Sequence, residues 1–369
     1  MKKTKHSAAV IVCLLGSLLL HGCGAGGSKG SEPVKVATDP GEQWSMTAPA
    51  EVGMNAELLN KAVSELPAAD QHKMSGMIVM RRGKPVLEQY WNGYDKDTMH
   101  DMRSATKSIT SLMVGIAIDK GMLGSADDPI KTHLESAYRA TPAIAHNIAI
   151  KDLLTMSSGM ACNDRDPKSP GNEEYMYPKG DWVGFFMGLP PAARPGTKTL
   201  YCTAGVVTLG RILTEASKTS IPDFSTRHLF APLGINNARW ASFDNGRQTD
   251  TGGHLYLRPR DMAKIGQLVL QGGKWNGTQI VSSSWITKAT STLTYMDSKE
   301  EYGYLWWKHT FTVERKTYVA HLARGNGGQY IIVVPALELV AAFTGENYNS
   351  PASRRPLDVL ESYVLPAVR

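Results

Sequence analysis

The 369-residue chain is 42% hydrophobic and 20% charged, enough apolar matter for a sizeable core in one large domain or two small ones. Its formal net charge is +6, but three of its 40 basic side chains, Lys2, Lys3 and Lys5, fall in an acid-free stretch at the start. The small excess that remains is scattered and forms no basic stripe interleaved with aromatics, so there is no case for nucleic-acid binding.

The chain begins MKKTKHSAAVIVCLLGSLLLHGC, a basic start followed by an apolar run from Ala8 to Leu20. That run is short for a membrane span and reads as a secretory signal over residues 1–22. It closes on Leu20-His21-Gly22-Cys23, which resembles a bacterial lipobox with an unusual His21 and makes Cys23 the candidate lipidation site. Gly24 follows the cysteine where an aspartate would retain a lipoprotein in the inner membrane. The expectation is therefore an exported, lipid-anchored protein, on the outer membrane facing the periplasm. The Gly-, Ser- and Pro-rich residues 23–45 read as a flexible tether, leaving 46–369 as the folded domain. Beyond Cys13 and Cys23 only Cys162 and Cys202 remain, and in an exported protein they are a candidate disulfide; two buried free thiols are the alternative.

Ser75 to Tyr94 alternates as two strands around a turn at Arg82-Gly83-Lys84-Pro85. Ile109, Leu112, Met113 and Ile116 recur at helical spacing between Ala105 and about Lys120, closed by Gly121. From Asp127 to about Asp250 helices and long loops dominate, giving a helical lobe over about 127–255. RPRDMAKIGQLVLQGG predicts a further helix; YGYLWWKHTFTV, KTYVAHLAR and QYIIVVPALELVAAFTG predict strands; SPASRRPLDVLESYVLPAV predicts a closing helix. Strands from both ends would share one antiparallel sheet, an α+β arrangement with the helical lobe inserted and a small-molecule cleft between the two.

The chemistry starts at Ser104-Ala105-Thr106-Lys107. Residues three apart share a helix face, so Lys107 can reach the Ser104 hydroxyl. The unpaired N–H groups of a helix mouth favour negative charge there. The apolar residues beyond predict burial, which would lower the proton affinity of Lys107 and free it as a base. A Ser-x-x-Lys match alone is short enough to arise by chance, and Ser104 could be a simple N-cap.

Further residues add specificity. Tyr201-Cys202-Thr203 follows a Pro-Gly turn and precedes a helix, and Ala323-Arg324-Gly325 sits on a late strand before a Gly-rich stretch. Together with Ser104 to Lys107 these resemble the three motifs of the penicillin-recognising serine hydrolases. The branch is similar to class C β-lactamases and their esterase and amide-hydrolase relatives, including the 6-aminohexanoate-dimer hydrolase group. The phrases KDLLTMSSGM, PGTKTLYCTAG, APLGI, RPRDMAKIGQLVLQGGKWNG and YGYLWW extend the resemblance from about Trp44 to the C-terminus. It implies the β-lactamase/transpeptidase-like fold, with Ser104 as acylated nucleophile, Lys107 holding or accepting its proton and Tyr201 moving protons to the leaving group and from water. It also implies oxyanion donors at the backbone N–H groups of Ser104 and Asn326.

Two departures stand out. Thr203 occupies a position often held by asparagine, and Ala323 the place of the usual lysine or histidine. Arg324, one residue later on a strand, is expected on the opposite face. Thr203, Arg324, Gly325 and His321 are the substrate-cleft candidates. The histidines lack metal-ligand spacing, and neither a metal nor another cofactor is expected. Within 46–369 there is no Gly-x-Ser-x-Gly elbow, and the chain holds no Walker A or His-Glu-x-x-His motif.

The reading is an exported serine hydrolase that cleaves esters or amides of small molecules or short peptides through an acyl-enzyme on Ser104. A D-amino-acid-specific peptidase, a β-lactamase and a non-catalytic lipid-tethered binding protein of the same fold are the alternatives.

Overall fold

The structure, a computed structural model, describes residues 44–68, 73–134, 147–246 and 248–369. The signal, Cys23 and nearly all of the tether lie outside the described residues. Among the described residues no helix is long and apolar enough to cross a membrane.

After helix α1 (Ala56–Ala68), the Ser75 to Tyr94 segment forms a hairpin of β1 (Met74–Arg81) and β2 (Lys84–Tyr90). Its turn residues Arg82 and Gly83 both have positive φ, as tight hairpin turns that match strand twist require. Helix α2 (Thr106–Asp119) then opens the inserted lobe, whose longest helix is α3 (Thr203–Ser217). Helix α4 (Pro259–Leu270) leads back to the sheet. The remaining strands of the main sheet are β3 (Thr294–Met296), β4 (Glu300–Tyr302), β5 (Trp307–Val313), β6 (Lys316–Gly325), β7 (Gln329–Val334) and β8 (Leu339–Gly345).

The eight strands form one sheet in the order β3-β4-β5-β6-β7-β8-β1-β2, with every neighbouring pair antiparallel. The two ends of the chain meet where β1 pairs with β8, from Met74 opposite Gly345 to Arg81 opposite Leu339. β1, β7 and β8 are buried along their whole length, so their near-continuous apolar runs form the core of the sheet. α4 packs on β1, β7 and β8. Gly266 allows that approach, since a Cβ there would stand 2.5 Å from Val340 Cγ1. α1 packs against the C-terminal segment Leu360–Val364, which also touches β5.

α2 lies between the sheet and the lobe, touching both β6 and α3. Every residue from Thr106 to Ala117 is buried, so the helix shows no solvent face. Three of its four hydroxyls are spent on different elements: Ser108 Oγ donates to Leu305 O at 2.6 Å and Thr110 Oγ1 to Thr251 O at 2.7 Å, while Thr106 Oγ1 accepts from Leu255 N at 3.1 Å. Buried hydroxyls carry a desolvation cost unless paired, so these bonds fix the helix in rotation as well as in depth.

Candidate active site

Ser104 sits in a 3₁₀ turn (Arg103–Ala105) that runs directly into α2. Arg103 has φ +47°, an uncommon conformation for a side-chain-bearing residue, immediately before the candidate nucleophile. Asp101 holds the turn: Oδ1 accepts from Arg103 N at 2.9 Å, and Oδ2 pairs with the Arg103 guanidinium at 3.5 Å and with His254 Nδ1 at 2.7 Å.

Lys107 lies one turn into α2 and is almost wholly buried, at 1% exposure. Its Nζ donates to Ser104 Oγ at 3.1 Å, Thr203 Oγ1 at 3.0 Å and Gly252 O at 2.5 Å. Three donors meet three acceptors, the full complement of an ammonium group. Nζ also stands 5.1 Å from the centre of the Tyr201 ring.

Thr203 opens α3, whose cap is Cys202. Its hydroxyl accepts from Lys107 and donates to Glu173 Oε2 at 2.8 Å. Its backbone N–H donates to Asp164 Oδ2 at 2.7 Å, and Asp164 Oδ1 accepts from Glu173 N at 3.0 Å. Cys162 and Cys202 form a disulfide, which ties the loop carrying Asp164 to the residue between Tyr201 and Thr203.

β6 closes the other side. A Cβ on Gly325 would stand 2.1 Å from Met102 O and 3.1 Å from Ala105 N, so only glycine lets this strand end lie against the nucleophile turn. The next residue, Asn326, turns its side chain away to exchange hydrogen bonds with Asn349, at 2.8 and 2.9 Å.

Ser104, Asp164, Glu173, Tyr201, Arg324 and Asn326 line one open cavity of about 410 Å³. A larger cavity of about 620 Å³ runs along α3 and contains none of these groups; its Ser220 caps the helix Ile221–Ser225. The chemistry lies in the smaller one.

The structure brings Ser104, Lys107, Tyr201, Thr203, Arg324, Gly325 and Asn326 together and leaves His321 out. His321 borders a separate cavity with Val269 and Pro335, and burial holds its pKa down to about 4. Arg324 also departs from the sequence reading, because its long side chain does reach the cleft. The guanidinium lies 3.9 Å from the centre of the Trp307 ring and pairs with Glu300 at 2.6 Å, while the Ala323 side chain is buried.

A larger correction concerns charge. Burial lowers the proton affinity of Lys107, but Tyr201, Glu173, Asp164 and Asp250 together outweigh it and hold its pKa above the ordinary lysine value. That direction favours the ammonium form of Lys107 over the free amine. Asp164 is pushed up to about 6 by burial and by the neighbouring Glu173. Burial likewise raises Asp250. Asp164, Glu173, Asp250 and Gly252 are parts of the site that no motif signalled; only the pairing of Cys162 with Cys202 pointed to the neighbourhood of Asp164. Among the described residues no cluster of His, Cys, Asp and Glu is arranged to hold a metal.

Residues 59–361 match the Beta-lactamase family. The chain belongs to that family. It is 22% identical over 250 residues to the 6-aminohexanoate-dimer hydrolase of Paenarthrobacter ureafaciens, an alignment covering 64% of this chain and 62% of that enzyme. It is 26% identical over 188 residues to the lovastatin esterase of Penicillium rubens, covering 47% and 46% of the two chains. These matches thus span less than two thirds of either relative's length. The octameric penicillin-binding protein homologue from Pyrococcus abyssi shares the fold, with a TM-score of 0.65 and 20% identity over 85% of this chain and 77% of that one. The β-lactamase-like fold, with its antiparallel sheet and inserted helices, is therefore the one expected from the motifs, and the family is one of hydrolases.

Proposed function

We propose that the protein is a serine hydrolase that cleaves esters or amides through an acyl-enzyme on Ser104. The observation that carries this reading is the position of Lys107 Nζ, bonded to Ser104 Oγ and lying against the Tyr201 ring. An ammonium cannot take the serine proton, so we assign the base to Tyr201, whose ring lies beside Lys107 Nζ. Ser104 Oγ attacks the carbonyl carbon as its proton passes to Tyr201, and the oxyanion takes the backbone N–H groups of Ser104 and Asn326. The carbonyl re-forms as the bond to the leaving group breaks, and Tyr201 returns the proton to the departing oxygen or nitrogen. Water then repeats the sequence on the acyl-enzyme and releases the acid.

Ester and small amide substrates fit the cleft best: Ala323 offers no cation, and Arg324 is committed to Glu300. The names of the lovastatin esterase and the 6-aminohexanoate-dimer hydrolase support the same classes. A second reading, a carboxylate-bearing substrate such as a D-amino-acid peptide or a β-lactam, draws on Arg354, exposed at the same cavity. We place the enzyme outside the inner membrane on a Cys23 lipid anchor, on the strength of the leader sequence.

The test is labelling by a fluorophosphonate probe together with hydrolysis of p-nitrophenyl esters, D-alanyl amides and nitrocefin. Wild type should be labelled and should turn over the esters fastest; Ser104→Ala should lose both while melting normally. Failure of well-folded wild type to label overturns the reading in favour of a non-catalytic binding protein. Preference for the D-alanyl amides or nitrocefin, lost in Arg354→Ala, selects the second substrate class.

A further inference from the structure

The carboxylates of the site belong to no motif, yet they are bonded into it in one direction only. Glu173 Oε2 accepts from Thr203 Oγ1 at 2.8 Å and from the Tyr177 hydroxyl at 3.1 Å. A threonine hydroxyl has one hydrogen, and here a carboxylate, which can only accept, takes it. The oxygen lone pairs of Thr203 are thereby left for Lys107, 3.0 Å away.

We propose that Glu173 is a positioning residue: acting through the Thr203 hydroxyl, it holds Lys107 as an ammonium aimed at Ser104. Glu173 and Thr203 together do the work of one side chain that would both accept from the lysine and fix its own orientation. Asp164 keeps the two in register, accepting one backbone N–H from each.

Other charged groups face this assembly. Asp250 comes from the segment before Gly252 and lies near His254, their closest atoms 3.9 Å apart. Tyr201 faces it from the start of α3, and Tyr177 from the end of the helix Glu173–Met176. Arg165 sits over the Tyr201 ring at 5.5 Å and pairs with Asp297 and Glu300, and Arg103 pairs with Asp101. Among these groups Glu173 alone is linked to Lys107 through a single hydroxyl.

A glutamine at 173 keeps the shape but can donate to Thr203 Oγ1. The threonine hydrogen would then turn toward Lys107, where an ammonium has no use for it. The proposal rests on Ser104 and Lys107 forming the site, but its decisive readout does not need turnover. In the full-length protein with carbon-13-labelled lysine, NMR titration of the Lys107 ε-carbon should show the Glu173→Gln midpoint about one pH unit or more below wild type, a tenfold loss of proton affinity. The kcat for a p-nitrophenyl ester should fall about a hundredfold with KM nearly unchanged. Glu173→Asp should recover part of both. In a Thr203→Asn background, where an amide replaces the hydroxyl relay, the same Glu173→Gln change should cost far less. An unshifted Lys107 midpoint in a folded Glu173→Gln protein overturns the proposal, as does an equal kcat loss in both backgrounds. Failure of wild type to label or turn over would overturn the enzymatic reading and leave the titration to decide this one.

Discussion

Lys107 shows why a buried lysine cannot be assigned a charge from its neighbours in sequence. The apolar pattern of α2 correctly predicts burial, and burial alone would make the amine a base. The counter-charges arrive from elsewhere: Asp164 from a loop of the lobe, Glu173 from the first position of the short helix Glu173–Met176, Asp250 from the segment after α3. None has a spacing or periodicity that could announce it. By contrast Ser104, Lys107, Tyr201 and Thr203 were legible because each stands at a helix mouth with a recognisable local pattern. Asp164 gives a testable pH dependence. Its pKa in the folded protein, about 6, lies above the ordinary 3.8, so between these values the folded state binds more protons than the unfolded state. That group's contribution to stability is therefore most favourable below about pH 4 and is lost as pH rises through about 6. Activity should run the other way. Protonating Asp164 weakens its hold on the Thr203 and Glu173 N–H groups, which keep the relay to Lys107 in register, so kcat/KM should show an acidic limb with a midpoint near pH 6. In Asp164→Asn that limb should disappear or move, whereas a profile flat from pH 5 to 8 in wild type would count against the assignment.

At the scale of elements, order and type were legible and their interruptions were not. The run YGYLWWKHTFTV reads as one strand but is split into β4 and β5, because Gly303 passes so close to Ala289 O that a Cβ would stand 2.0 Å from it. Leu305, with φ +61°, lies in the same break and offers its carbonyl to Ser108 of α2. The break thus serves the nucleophile helix, a tertiary purpose with no local sequence signature. The contact of β6 with the nucleophile turn is similarly narrow. Gly325→Ala should push the strand away from Met102, costing about 1–3 kcal/mol of stability by overpacking. It should also lower kcat by about a hundredfold or more through the displaced oxyanion donor, measured by thermal melting and ester hydrolysis. The Cys162–Cys202 disulfide clasps the acidic loop to α3 across a separation of 40 residues. Replacing both cysteines with alanine should cost about 2–4 kcal/mol in denaturant unfolding, with m-value and midpoint both monitored since the unfolded chain changes too. Activity should fall as Asp164 and Glu173 lose their fixed relation to Thr203.

Considered whole, the molecule places its chemistry at the boundary between a sheet built from both ends of the chain and a lobe built from the middle. That arrangement was legible as strands, then helices, then strands; the pairing of β1 with β8 is its structural expression. The leader adds an expectation of its own. If Cys23 carries lipid, the full-length protein made in a bacterial host should sediment with membranes, and Cys23→Ser should move it to the soluble fraction with specific activity unchanged, since the residues read as a tether separate Cys23 from the domain that carries the site.

The strand order also bears on how the chain is made. β1 and β2 precede the lobe in the chain, but β1 gains its second neighbour only with β8, the last strand of the sheet in chain order. A lone two-stranded ribbon is marginal in water, and contacts between distant parts of a chain form slowly. The nascent polypeptide therefore has no complete sheet to fold into until β8 has been made, and stays threadable until then. If the leader directs export, as we propose, a fold closed by its final strand keeps the chain unfolded long enough to cross a translocation pore.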